Sequence, residues 1–284
     1  MQKDIYQGLS VVDVSDEAVD QLHRDGSYPL DRLDSPGRPW WPNEALVFRG
    51  PNGSGLAIAR DGQAVLAEDR TAMGIRPKNK EQTLALAMLL DPKIQVVTLT
   101  GVAGSGKSLM AIAAALGQSF GAQATYQKII YVKSTELVGK DLGYLPGSYE
   151  DKVEPFMGAL HDCLQVVNAG KRDLEKLVGY GDKSKLQKMA SQYVRGRTFR
   201  KSFVIIDEAQ NFTTHELKTM LTRLDEDSKM AILGDVNQAD VELREAMAGL
   251  VQVIEKFKDE PLFAHLNLIK SERSRLAQIV EEKL

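Results

Sequence analysis

Gly101-Val102-Ala103-Gly104-Ser105-Gly106-Lys107-Ser108 fits the pattern G-x-x-x-x-G-K-[ST] at every fixed position, and the rest of the chain can be read outward from it. Glycine at 101, 104 and 106 lets the backbone enter conformations closed to other residues, so that successive N–H groups converge on one anion. The following helix start adds its own unpaired N–H groups and dipole. In this pattern Lys107 reaches the β- and γ-phosphates of a nucleotide, and the Ser108 hydroxyl ligates Mg²⁺. The flanks agree. Ile94 to Thr100 is an apolar run of strand length entering the loop, and Leu109 to Leu116 is an apolar run leaving it as a buried helix.

The 284 residues suffice for one sizeable domain and a smaller one. A formal charge of −3 and a pI near 5.9 exclude a whole-molecule field for nucleic acid, so any such binding must be local. The single Cys163 excludes an internal disulfide and fits a reducing compartment as a small helix residue. His23, His161, His215 and His265 lack ligand spacing, which argues against a histidine metal site. The first residues carry no apolar signal core and no apolar run reaches bilayer length, so a soluble cytoplasmic protein without membrane contact is expected.

Residues 1–75 read as a small β-rich module. Gly8 to Val14 alternates as a strand, Ser15 caps a helix through His23, and Arg24 to Trp41 has the prolines of a loop. Short strands follow at Ala45–Arg49, Leu56–Arg60 and Gln63–Leu66, the last two joined by the hairpin dipeptide Asp61-Gly62. Trp40-Trp41 serves either to stack on bases or to anchor this module. Residues 76–284 alternate strand and helix. Lys128–Val132, Phe203–Ile206 and Met230–Leu233 have the continuous apolar character of parallel strands buried on both faces. Thr213 with Glu216 makes a capping box ahead of Leu217, Met220, Leu221 and Leu224, and Leu243, Met247, Leu250, Val251 and Ile254 share a face of the next helix. The expected fold is α/β: a P-loop NTPase with a RecA-like parallel sheet and flanking helices, preceded by the small module.

Four groups of residues carry the expected chemistry. Phe203 to Glu208 is an apolar strand ending in two acids, Asp207 for the Mg²⁺ shell and Glu208 to orient and deprotonate an attacking water. That second acid favours hydrolysis over transfer to a small acceptor, which would require water to be excluded. Gln82 either reads an adenine edge or closes a capping box with Asn79, and the two can coexist. Asp235 and Gln238, after the fourth apolar run, stand where a γ-phosphate could be sensed. The stretch 171–201 sets ten Lys and Arg against three acids, interleaved with Tyr180, Tyr193 and Phe199; it either tracks a single strand or forms a solvated face. A lone motor core has no second domain to close its site with an arginine. A neighbouring subunit is the natural donor, which implies a ring or face-to-face oligomer; Arg195, Arg197, Arg273 and Arg275 are the candidates.

Together these residues resemble the PhoH-like family of phosphate-loop ATPases, related to the superfamily-1 helicases. The resemblance covers about residues 74–284. It is carried by Gly101–Ser108, Leu142–Gly147 with Lys152–Pro155, Arg195–Thr198, Asp207-Glu208-Ala209-Gln210-Asn211, Leu221-Thr222-Arg223, and Gly234-Asp235 with Gln238. Glu272-Arg273-Ser274 and the N-terminal module look most like the branch in which a PIN ribonuclease domain precedes the ATPase, although the metal-binding acids of PIN are not among these residues. The resemblance implies an ATPase acting on RNA rather than DNA, described in the family as a helicase fused to a nuclease and assembled as a hexameric ring; carried onto this chain it implies an RNA helicase or RNA-remodelling motor without the nuclease, and a separate nuclease partner is then an expectation. Carried over, ATP and Mg²⁺ fall to Gly101–Ser108, Asp207 and Glu208, with Arg273 as the preferred finger. The alternative is a regulatory or protein-remodelling ATPase without a nucleic-acid substrate. A small-molecule kinase or a non-catalytic nucleotide-binding scaffold is a more distant one.

Overall fold

The structure is a computed structural model that describes residues 5–34, 37–120, 124–134, 154–168, 178–179, 184–194, 196–236 and 244–272. Two sheets organise them. The first holds β1 (Leu9–Asp13), β2 (Ser27–Pro29), β3 (Ala45–Arg49), β4 (Ser54–Arg60) and β5 (Gln63–Leu66) in the order β1-β3-β4-β5-β2. Asp61 and Gly62 both have positive φ, 50° and 76°, as a two-residue hairpin between β4 and β5 requires. The helix α1 (Asp16–Asp25) starts on Ser15, whose hydroxyl accepts from the Ala18 N–H, and ends on the left-handed Gly26. The proline-rich stretch is not all loop: β2 pairs antiparallel with β5 and Leu30–Arg32 make a turn of 3₁₀ helix.

The second sheet is parallel throughout its described pairings. Its strands are β6 (Val96–Gly101), β7 (Lys128–Lys133), β8 (Val178–Gly179), β9 (Leu186–Ala190), β10 (Ser202–Asp207), β11 (Lys229–Leu233) and β12 (Phe263–Leu268), in the order β12-β6-β11-β10-β7-β9-β8. The helices α2 (Lys80–Leu90), α3 (Lys107–Ser119) and α4 (Gly158–Asn168) cover one face; α5 (Thr214–Leu221) and α6 (Arg244–Phe257) cover the other. Alternation explains the continuous apolar runs. Phe203 and Ile205 of β10 face the α2–α3–α4 cluster, while Val204 and Ile206 face α5 and α6. Tyr131, opposite Ile205 in register, lies on the α3 side, and the same parity turns Asp207 towards the start of α3.

Ala45, Val47 and Ile58 of the small sheet join the cluster that holds α2, and Leu46, Phe48 and Ala57 pack with α1 on the opposite face. Trp41 is an anchor. Its ring has the Arg38 guanidinium 5.6 Å and the Lys258 ammonium 5.5 Å from its centre, so cations from both units hold it. Asn43 adds hydrogen bonds from Nδ2 to the Pro261 and Phe263 carbonyls.

Two expectations are revised. β9 runs through the basic stretch, where a charged face or a strand-tracking surface was expected: all five of its residues are buried, Lys188 included. In the part of α6 whose side chains are described, Leu250, Val253 and Ile254 are its buried large hydrophobics while Val251 is half-buried, so Val253 rather than Val251 lies on the face there.

Candidate active site

β6 ends on Gly101 and α3 opens on Lys107, so the turn between them occupies five residues. Gly101 has φ 133°, and a Cβ on it would lie 2.0 Å from the Leu268 carbonyl oxygen of the adjacent strand. Gly106 caps α3 at φ 94° with no side chain bonded to the exposed helical N–H groups, and the first turn carries no acid. Within that first turn nothing offsets the positive end of the helix, which is the condition for receiving an anion. Lys107 Nζ donates to the Gly101 carbonyl at 2.6 Å and to the Val102 carbonyl at 2.9 Å, so its ammonium lies along the loop.

The two acids leave the end of β10 in different ways. Asp207 is 4% exposed. Its Oδ2 accepts from the Tyr131 hydroxyl, and its Oδ1 accepts from the Glu208 N–H at 3.1 Å and the Ser108 hydroxyl at 3.4 Å. Burial raises the Asp207 carboxyl above the usual range, and the Tyr131 hydrogen bond opposes that rise. Tyr131 itself is pushed well above an ordinary phenol by burial, with the Asp207 carboxylate adding to it. Glu208 has φ 55°, a left-handed conformation uncommon outside glycine. Gln210 Nε2 donates to Glu208 Oε2 at 2.6 Å, and Gln210 Oε1 accepts from the Asp235 N–H at 3.0 Å.

A third layer fastens the loop from outside. At the end of β12 and just past it, the Leu268 carbonyl accepts from the Val102 N–H, the Ser271 hydroxyl donates to the Ala103 carbonyl, and the Glu272 N–H donates to the Gly104 carbonyl at 3.0 Å. The start of α2 holds that strap in turn, with Asn79 Nδ2 on Glu272 Oε1 and the Ile269 N–H on Glu81 Oε2. Gln82 is 3% exposed and both ends of its amide are engaged. Its Nε2 donates to the Ser105 carbonyl at 2.9 Å and its Oε1 accepts from the Lys78 N–H at 2.9 Å. Only half of a capping box forms: Asn79 Oδ1 accepts from the Gln82 N–H, but the Gln82 side chain returns to Lys78 rather than to Asn79.

Gly101 to Ser108, Gln82, Asp207 and Glu208 are thus gathered at the carboxyl ends of β6 and β10, joined through Gln210 to Asp235 beyond β11. Gln238, Arg273, Arg275, Arg195, Leu142–Gly147 and residues 171–177 and 180–183 of the basic stretch lie outside the described residues. Within the described part of that stretch, Phe199 is buried, which corrects its reading as a stacking surface. Lys188 bonds both Glu154 oxygens, at 2.9 and 2.8 Å, and Arg200 Nε stands 3.3 Å from Asp225 Oδ2. No role of its own was foreseen for Tyr131, for Gln210, which enters the sequence pattern only within Asp207–Asn211, or for the strap. The only sequence signal was a tyrosine inside an apolar strand and a glutamine two places after Glu208. For a divalent cation the donor set fits: a hydroxyl and a buried carboxylate, both hard oxygen donors, meet at one point.

A family model described as "PhoH-like protein" matches residues 74–283. The protein PhoH2 of Bacillus subtilis is 37% identical over 292 aligned positions, covering 99% of this chain and 65% of that protein. PhoH2 of Mycolicibacterium smegmatis is 35% identical, covering 98% of this chain and 62% of its own. The chain therefore spans less than two thirds of each of these relatives. Among solved structures, the large terminase of a thermophilic bacteriophage in complex with ADP aligns with 72% of this chain and 50% of its own at 12% identity, with a TM-score of 0.42.

Proposed function

We propose, because this chain belongs to the PhoH-like protein family, that it is a Mg²⁺-dependent ATPase that couples hydrolysis to single-stranded RNA rather than DNA. The observation that carries the hydrolytic part is the meeting of Ser108 Oγ and Asp207 Oδ1 at 3.4 Å, from elements about a hundred residues apart in sequence. The glycine loop and the start of α3 bind the phosphates through N–H groups, and Lys107 supplies the cation along them. Ser108 and Asp207 are the residues that would hold Mg²⁺, which when bound neutralises developing charge on the phosphate oxygens. Glu208 takes a proton from water as the water oxygen bonds to the terminal phosphorus; the bond to the bridging oxygen breaks and ADP leaves. Gln82 serves the site by holding the Ser105 carbonyl. Residues 1–75 form the accessory module and 76–284 the ATPase, with Gln238 and Arg273 as γ-phosphate sensor and trans-acting finger in a hexameric ring.

The test is the steady-state ATPase rate with and without single-stranded RNA or DNA, beside Glu208→Gln. Stimulation by RNA that Glu208→Gln abolishes supports the motor. Hydrolysis that depends on Glu208 and ignores both nucleic acids supports a second reading, a regulatory or protein-remodelling ATPase. One observation favours that second reading: Lys188 and Phe199 are committed inside the fold rather than available to a strand.

A further inference from the structure

We propose that Gln210 is a positioning residue that fixes the Glu208 carboxylate and ties it to the turn after β11. This rests on the hydrolytic reading above and adds to it a side chain with no role so far.

The polarity of the amide is set by its neighbours. The Asp235 N–H is a donor and nothing else, so the Gln210 atom 3.0 Å from it must be the oxygen. The NH₂ end is then turned towards Glu208 and donates to Oε2 at 2.6 Å, a charge-assisted bond in a side chain only 5% exposed. Glu208 needs such a hold. Its backbone is left-handed, and the short helix Ala209–Asn211 is closed on it through the Asn211 N–H to the Glu208 carbonyl, a bond that leaves the carboxylate free to turn. A carboxylate that takes a proton from water must keep one oxygen directed at that water. Gln210 occupies the other.

Gly234 shows that the turn is closely packed on this amide as well as on Leu250. Its φ is not in the left-handed region, so conformational freedom does not explain the glycine. A Cβ there would lie 3.1 Å from Gln210 Oε1 and 3.4 Å from the Gln210 backbone nitrogen, besides 2.7 Å from Leu250 Cδ2. The absence of a side chain at 234 leaves room both for Leu250 and for the Gln210 amide that accepts from the Asp235 N–H. Displacement of that turn is thereby passed to Glu208, through one rigid amide rather than through packing.

The test compares Gln210→Glu, Gln210→Met and the exchanged pair Glu208→Gln/Gln210→Glu in the full chain. Gln210→Glu keeps an acceptor for Asp235 but opposes two carboxylates. Gln210→Met keeps the volume and loses both bonds. Both are expected to lower kcat about tenfold or more while KM for ATP stays within about threefold, because the ground-state contacts of the nucleotide are untouched. The exchanged pair restores an amide–carboxylate bond. It is expected to recover the melting temperature lost in Gln210→Glu without recovering turnover. Wild-type kcat in both single variants would overturn the proposal, as would a parallel rise in KM or an exchanged pair no more stable than the sum of its parts. Should the wild type hydrolyse no nucleotide, the ATPase reading falls by itself, and the melting temperatures of the same set still decide whether Gln210 and Glu208 are coupled.

Discussion

Replacing Gln82 by alanine separates two roles that the same side chain can hold. The Gln82 amide is buried with its donor on the Ser105 carbonyl and its acceptor on the Lys78 N–H. Lys78 is exposed, so its N–H regains water in the variant and little is lost there. Ser105 is fully buried, and its carbonyl loses this partner without access to solvent. One net hydrogen bond of about 1 kcal/mol and a stranded carbonyl of about 1–2 kcal/mol give roughly 2–3 kcal/mol. If all of it is felt in loop geometry, nucleotide affinity falls about 30- to 150-fold. The part that appears instead as lower global stability is measured by denaturation of the free protein.

The assay is equilibrium binding of ATP, GTP and inorganic triphosphate to the wild type, Gln82→Ala and Gln82→Glu. A residue that holds the loop affects every ligand that uses the loop, so all three should weaken by a common factor, the base-free triphosphate included. Gln82→Glu keeps the Lys78 bond and turns an oxygen against the Ser105 carbonyl, so it too should weaken all three. Loss confined to ATP, with GTP and triphosphate bound as in the wild type, would refute the loop-holding reasoning and return Gln82 to reading the adenine edge.

Gly101→Ala should cost about 3 kcal/mol or more, because the new Cβ meets the Leu268 carbonyl and no rotamer can relieve a backbone clash; urea denaturation within about 1 kcal/mol of wild type would contradict this. Tyr131→Phe removes a hydroxyl from Asp207 while keeping the ring, and should raise the Mg²⁺ concentration for half-maximal nucleotide binding about tenfold, read by titration of Mg²⁺ in a fluorescence binding assay. Lys229 is buried with Nζ on the Met88 and Asp91 carbonyls, and burial lowers its pKa from 10.5 to about 7. Between those values the unfolded chain carries the proton and the folded one does not, so stability rises with pH across that window by up to about 1.4 kcal/mol per unit. The rise should be missing from Lys229→Met when urea midpoints are compared across the window.

What could be read in advance was set by short-range rules, and what could not was set by contacts across long separations. The phosphate loop, the Ser15 and Thr213 caps and the Asp61-Gly62 hairpin each depend on residues within a few positions, and the structure has them where the pattern put them. The parallel core strands were equally legible, since burial on both faces demands an unbroken apolar run. β9 was hidden by the same rule. Leu186-Gln187-Lys188-Met189-Ala190 has neither an apolar run nor a two-residue alternation, and its lysine counts as surface until Glu154, 34 residues away, is found bonded to it. One residue thus misdirected two readings, concealing a strand and enlarging an apparent nucleic-acid surface.

The candidate active site divides in the same manner. Asp207 and Glu208 are adjacent, and the identity of the pair is visible at the end of a strand, but their different surroundings come from geometry that adjacency does not encode. Strand parity turns Asp207 towards Ser108 and Tyr131, whereas a left-handed backbone turns Glu208 out of the strand direction, towards Gln210. Two like residues side by side are therefore held by partners from three other elements: α3, β7 and the short helix Ala209–Asn211, whose Gln210 is tied in turn to the turn after β11. The strap 268–272 extends the principle, binding a loop more than 160 residues before it. A P-loop motif specifies which backbone can surround a phosphate. The chain supplies the stiffness that keeps it in that shape from the first turn of α2 and the segment beyond β12, which is why substitutions at Asn79, Gln82 or Glu272 should reach the phosphate site without being part of the motif.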